Sequence, residues 1–101
     1  MTKRTVIVDV DRSPEQTFRI KRGEYVTVAI VARFPKQKEA SIKVRLTGKG
    51  AKATILGIII GKDDTQFSLH TLQLHEAPET TSNLLVKSVL SGKTQFHYDG
   101  A

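Results

Sequence analysis

Few residues in this chain could do chemistry, and their spacing argues against most of it. His70 and His75 stand five residues apart, which puts them on opposite faces of a regular strand. No carboxylate or third histidine lies at a ligand spacing from them, so a metal site is not expected. His97 alternates with Phe96 and Tyr98 and reads as exposed. Asp63-Asp64 and Glu76 with Glu79 are candidate paired acids, but a solvated turn and a solvated corner account for them. No Ser-His-Asp order stands out, and Ser82 lacks the strand, Gly-x-Ser-x-Gly and helix setting of a nucleophile elbow. Gly48-Lys49-Gly50 is too short for a phosphate loop. Lys43 and Arg45 lack the interleaved aromatics of a base-stacking platform. The absence of cysteine removes disulfides, thiolate metal sites, cysteine nucleophiles and cysteine-held clusters. No catalytic, cofactor-binding or metal-ligating residue is therefore assigned, and an enzyme is not expected.

The elements that carry these residues read as strands. The 101 residues suffice for a single domain, residues 1–101, with one modest core. Val6, Val8 and Val10 alternate with Ile7 and Asp9. Residues 11–16 read as a loop and 17–21 as a short strand, with Phe18 and Ile20 on one face. After the turn at Arg22-Gly23, Val26, Val28, Ile30 and Ala32 share a face. Pro35 and the Lys36–Glu39 run form an exposed corner. Ile42, Val44 and Leu46 alternate with Lys43, Arg45 and Thr47, giving a half-buried strand with a basic wet face. Ala51 to Ile60 is so apolar that both faces are expected to be covered, and Gly57 within it marks a bend or close packing. Phe67 and Leu69 have one parity and Leu72 and Leu74 the other, so a bulge near Leu69–His70 is expected to restore one apolar face. Ser82–Leu90 suits either a strand or one face of a short helix. The count is about eight strands and no clear helix. Gly23 to Gly50 is 27 residues and Gly50 to Gly92 is 42, a hint of repetition. A β-solenoid with coils of roughly 20–30 residues fits, and so does a small β-sandwich.

The net charge of +6 is uneven: residues 1–50 carry +7 and residues 51–101 carry −1. A basic half can attract nucleic acid or an acidic protein face, although strand edges also use Lys and Arg to block unwanted pairing. The longest apolar run falls far short of the ~18 residues of a spanning helix. The first ten residues alternate and lack the apolar stretch of a signal peptide, so a cytoplasmic location is the default expectation.

One ordered set of residues resembles a known family. A strand ends at His75 and is followed by Ala77-Pro78, Thr80-Thr81-Ser82-Asn83, Lys87-Ser88-Val89-Leu90-Ser91-Gly92-Lys93 and Tyr98-Asp99-Gly100. Upstream, Val44 to Ala51 followed by Gly57 looks like another coil of the same scaffold. This pattern resembles the SufB/SufD family, well over residues 40–100 and weakly over residues 1–39. The resemblance implies an all-β fold, a short right-handed parallel β-helix, with residues 82–90 as a strand. In that family two β-helical subunits associate and bind an ABC-type ATPase, and the assembly builds an iron–sulfur cluster. The Cys and His positions and the ATPase-binding helices of family members lie in later parts, and nothing here matches them. The chain is thus expected to be either a fragment of a longer protein or a minimal relative. It would act as a non-catalytic scaffold through protein contacts, with no bound cofactor.

A short β-helix also exposes a hydrophobic end and open strand edges. The expected partners are a second copy of the chain, paired through Ser82–Leu90 and Thr94–Tyr98, a SufB/SufD-type subunit and an ABC-type ATPase. No membrane partner is expected. A small basic β-domain binding nucleic acid or an acidic protein is the alternative.

Overall fold

Alternation of apolar and polar residues at period two dictates strands, and the corners between them set how those strands meet. The computed structural model describes residues 2–100. It contains eight strands: β1 (Thr2–Asp9), β2 (Glu15–Ile20), β3 (Glu24–Arg33), β4 (Glu39–Leu46), β5 (Lys52–Gly61), β6 (Gln66–His75), β7 (Thr81–Leu90) and β8 (Gln95–Gly100). The odd strands form one four-stranded sheet in the order β1-β3-β5-β7, and the even strands form the other, β2-β4-β6-β8. Every ladder is parallel. Each consecutive pair of strands is therefore one coil of a short parallel β-helix, and the sandwich alternative, which needs antiparallel sheets, falls. No helix among the described residues is long and apolar enough to cross a membrane.

Register turns the sequence into columns. In the odd sheet Val6, Val28, Ile55 and Leu84 lie side by side, followed by Val8, Ile30, Gly57 and Val86. In the even sheet Ile20 lies beside Leu46, and Ala40, Leu69 and Tyr98 make another column. Parallel in-register pairing keeps neighbours on the same face, so apolar columns from the two sheets meet and form the core. Val26, Val28, Ile30, Ile42, Val44, Leu46 and Ile55 are fully buried there. Each such side chain contributes about 1.5–3 kcal/mol relative to an exposed position. Thr71 is the one buried polar residue among those described, and its hydroxyl meets the Tyr98 hydroxyl.

The corners explain why the repeat is hard to see. Tyr25 pairs with Lys52 and Lys52 with Thr81, so this sheet advances by 27 and then 29 residues. The corners before β3, β5 and β7 place Gly23, Gly50 and Glu79 in the left-handed region, at φ 70°, 77° and 60°. The corners before β4, β6 and β8 use Phe34 (φ 46°), Asp63 (φ 59°) and Gly92 (φ 67°). The expected glycine series thus mixed two corners: Gly92 belongs with Asp63, and the true successor of Gly50 is Glu79. Asp tolerates this conformation through its short polar side chain, while a Glu there costs about 1–2 kcal/mol of backbone strain.

Two expectations about elements need correction, and two open alternatives are decided. The strand placed at 17–21 begins earlier, at Glu15, because Ser41 N–H bonds the Pro14 carbonyl at 2.7 Å and extends the ladder. No bulge interrupts β6: Glu39 through Leu46 pair without a break with Ser68 through His75. Phe67, Leu69 and Thr71 point inward, while Leu72 and Leu74 lie on the outer face beside Lys43 and Arg45. The inner wall simply becomes polar towards His75, where Tyr98 and Ser82 supply hydrogen-bond partners. β5 is not bent at Gly57 either. The glycine sits in an unbroken ladder, and a Cβ there would lie 3.2 Å from a Val86 methyl, so close packing is its reason. Finally, Ser82–Leu90 lies within a strand, apolar on both faces: Leu84, Val86 and Leu90 share the inner parity, Leu85 and Val89 the outer. That double pattern is what imitates a helical stripe.

Candidate functional site

The two histidines fall on opposite faces, as their spacing implies. His75 ends β6 on the inner parity and lies beside Leu46. Its Nδ1 meets Thr80 Oγ1 at 2.7 Å and its Nε2 meets Ser82 Oγ at 3.1 Å, so the ring ties the end of β6 to the corner that leads into β7. Thr80 Oγ1 donates to the Ala77 carbonyl, and Ser82 Oγ donates to Gln73 Oε1. Ser82 is held between Gln73 and His75 where a corner joins two strands, and no strand-to-helix turn presents it as a nucleophile. The cluster pins a corner.

His70 faces outward on the even sheet. Register places it between Ser41 and Asp99, with Glu15 beyond Ser41. This row lines an open groove of about 610 Å³ with Thr17, Lys43 and Leu72. Sequence inspection missed the row because its members are far apart in the chain. Its signal was the coil length: Ser41, His70 and Asp99 are spaced by 29 residues. His70 Nδ1 lies 3.6 Å from Asp99 Oδ2, and among the described residues no hydrogen bond joins Ser41 to His70. The row is a stack of polar side chains on a wet sheet face, not a connected relay.

The remaining candidates are mostly engaged with each other. Arg45 grips Glu76 with two hydrogen bonds, Nε to Oε2 at 2.8 Å and Nη2 to Oε1 at 3.0 Å. The bond from Arg45 holds the Glu76 carboxyl below the usual carboxylate range. Glu79 lies 3.9 Å from Lys49, so the Gly48-Lys49-Gly50 turn faces an acid. Arg19 Nε donates to Thr47 Oγ1 at 3.2 Å. Asp63 and Asp64 are exposed in their corner, and His97 is exposed. Among the described residues, no group of three or more His, Cys, Asp or Glu side chains could hold a metal ion.

The last described coil is the least covered part of the fold. β7 and β8 each have a neighbour on one side only among the described strands. Their inward side chains continue the core columns but are only partly covered: Val86, Phe96 and Tyr98 are half-buried and Leu84 and Leu90 exposed. Phe96 stacks on Phe67 in the coil before it, with ring centroids 6.2 Å apart and planes at 9°. The last coil thus presents two open ladders flanking an aromatic and aliphatic floor.

A model of the family described as SUF system FeS cluster assembly, SufBD core domain, matches residues 14–101. No curated protein and no solved structure matched the chain.

Proposed function

The chain belongs to the SUF system FeS cluster assembly, SufBD core domain family, and from that membership we propose that it is a non-catalytic cytoplasmic scaffold of iron–sulfur cluster assembly. It works by protein–protein contact through its last coil. The observation that carries this reading is the pair of one-sided ladders of β7 and β8 around the half-covered residues Val86, Phe96 and Tyr98. Unpaired strand edges beside apolar side chains take up further strands, because backbone groups and columns are completed together. The occupant is another β-helical coil, from a second copy of the chain or from a SufB/SufD-type subunit, and the assembled pair engages an ABC-type ATPase.

The test is solution mass at tens of micromolar, with co-purification of an ABC-type ATPase and cluster assembly after deletion. A dimer or larger species that Phe96→Asp returns to monomer is expected, together with ATPase capture and loss of cluster assembly. A clean monomer that captures no ATPase overturns the reading. Steeply salt-dependent binding to nucleic acid would favour the basic-domain alternative.

A further inference from the structure

The outer face of the odd sheet carries a feature that neither the last coil nor the family match explains. Its residues are ordered in rows across the four strands. Lys3, Tyr25, Lys52 and Thr81 form the first row and Thr5, Thr27, Thr54 and Asn83 the second. Then the face turns apolar, with Ile7, Ala29, Leu56 and Leu85 in register. Val31 and Ile58 continue it between Asp9 and Lys87, and Ile60 and Val89 extend it beside Arg33. This band lies in the open: Ile7 is 73% exposed and Val89 68%. The even sheet shows a more polar outer face, where Leu72 and Leu74 stand among Thr17, Ser41, Lys43, Arg45 and His70. A contiguous exposed aliphatic band marks an interaction surface.

Its geometry and charge select an occupant. Parallel sheets are normally covered on both faces, and the usual cover of an outer face is a helix laid along the strands. Three alternate positions along a strand span ~13 Å and four strands span ~14 Å, a footprint suited to one helix ~10–12 Å across. The charge on this face is mainly positive: its described strand residues include Lys3, Arg33, Lys52 and Lys87 against one acid, Asp9. Arg33 and Lys62 flank the exposed Phe34 ring, 5.8 Å and 4.8 Å from its centroid, and Lys87 stands on the edge strand. Asp9 is the one acid among the described strand residues of this face, with Asp63 and Asp64 in the corner that leads to β6. A second copy would bring like charges together. A lipid surface is less well matched, because the band has no Trp and no Tyr among its aliphatic rows.

We propose that this face is a docking site for an amphipathic helix of a partner protein, with an aliphatic stripe bordered by Asp or Glu. The helix lies over β3, β5 and β7, its stripe on Leu56, Ile58 and Leu85 and its acids towards Arg33, Lys62 and Lys87. The site shares β7 with the last coil but uses its outer face, not its open ladder or its inward side chains.

The experiment is fluorescence anisotropy with two labelled, helix-stabilised 18-residue peptides. Both carry leucine at helical spacing; one has glutamate at the bordering positions and the other lysine. The glutamate peptide is expected to bind the wild-type chain saturably, at least tenfold tighter than the lysine peptide, and to weaken as salt rises. Ile58→Asp with Leu85→Asp should cost at least tenfold. Lys62→Glu with Lys87→Glu, a surface change that spares the aliphatic rows, should reverse the preference between peptides. Leu72→Asp on the other sheet should leave binding unchanged, and circular dichroism checks that each variant is folded. Equal binding of both peptides, no binding of either, or binding indifferent to the charge reversal overturns the proposal. So does self-association that Leu85→Asp abolishes, or capture of phosphatidylserine vesicles that the same variants abolish.

Discussion

Ile55 and Leu84 occupy the same column, one coil apart on adjacent strands, yet Ile55 is fully buried and Leu84 is 38% exposed. The two have the same parity and similar size. They differ in what lies beyond them: Ile55 has coils on both sides, whereas Leu84 has one on a single side among the described strands. The same contrast separates Leu46, which is fully buried, from Phe96, which is half-covered. In a solenoid each coil touches only its neighbours, so inward orientation provides an apolar column while burial requires a further coil.

The largest test of this contrast is a pair of truncations. Ile55→Ala should cost about 2–5 kcal/mol, because a fully buried column loses both transfer energy and packing. Leu84→Ala should cost about 1 kcal/mol or less in the isolated chain. Chemical denaturation of both variants measures the difference, and equal costs would mean that the last coil is covered in solution. If association supplies that cover, the Leu84→Ala loss should grow with protein concentration.

A second pair compares glycines. A Cβ at Gly48 would stand 2.1 Å from the Arg22 backbone nitrogen in the neighbouring corner, where nothing can rotate away. Gly48→Ala should destabilise by about 1–3 kcal/mol or more. At Gly57 the nearest obstacle is the Val86 side chain of the looser last coil, at 3.2 Å. Gly57→Ala should stay within about 1 kcal/mol of wild type. Thermal unfolding ranks the two, and a larger loss at Gly57 would show the last coil to be packed as rigidly as the others.

Smaller effects concern corners and surface ions. Glu79 holds a left-handed conformation just before β7, the place Gly50 takes before β5. Glu79→Gly should stabilise by up to about 1 kcal/mol, read as a higher denaturation midpoint. The smallest change is the pH dependence of the Arg45–Glu76 pair. The folded state holds the Glu76 carboxyl below its ordinary value through the hydrogen bond from Arg45. Its contribution is therefore present above the unfolded carboxylate range and is lost as pH falls through the folded value. Denaturation midpoints measured down through the acid range should show a loss that Glu76→Gln removes. The pair faces solvent, so high salt should shrink it.

Much of the scaffold was legible from local pattern. Val26 to Ala32 and Ile42 to Leu46 alternate so cleanly that their strands and inner faces follow from period two alone. The pairing of His75 with the Thr80–Ser82 corner agrees with the motif that carries the family resemblance. β6 was misread because a change of parity admits two explanations, a bulge or a wall that turns polar. The partners that decide between them, Tyr98 and Ser82, come from other strands. The Ser41–His70–Asp99 row was invisible for the same reason: its members become neighbours only once coil length is known.

The sequence by itself determined β3 and β4 with their inward faces, the absence of thiol chemistry in this chain and the family to which it belongs. Each of these is set by residue identity or by local spacing, and the backbone enforces period two without reference to any distant residue. Tertiary structure alone decided which residues stack, which polar groups find partners, and which faces are left open. Those depend on the registers of 27 and 29 residues that the corners set between coils. They also decide that the apolar stretch of β5 is buried on its inner side and bare at Ile58 on its outer side.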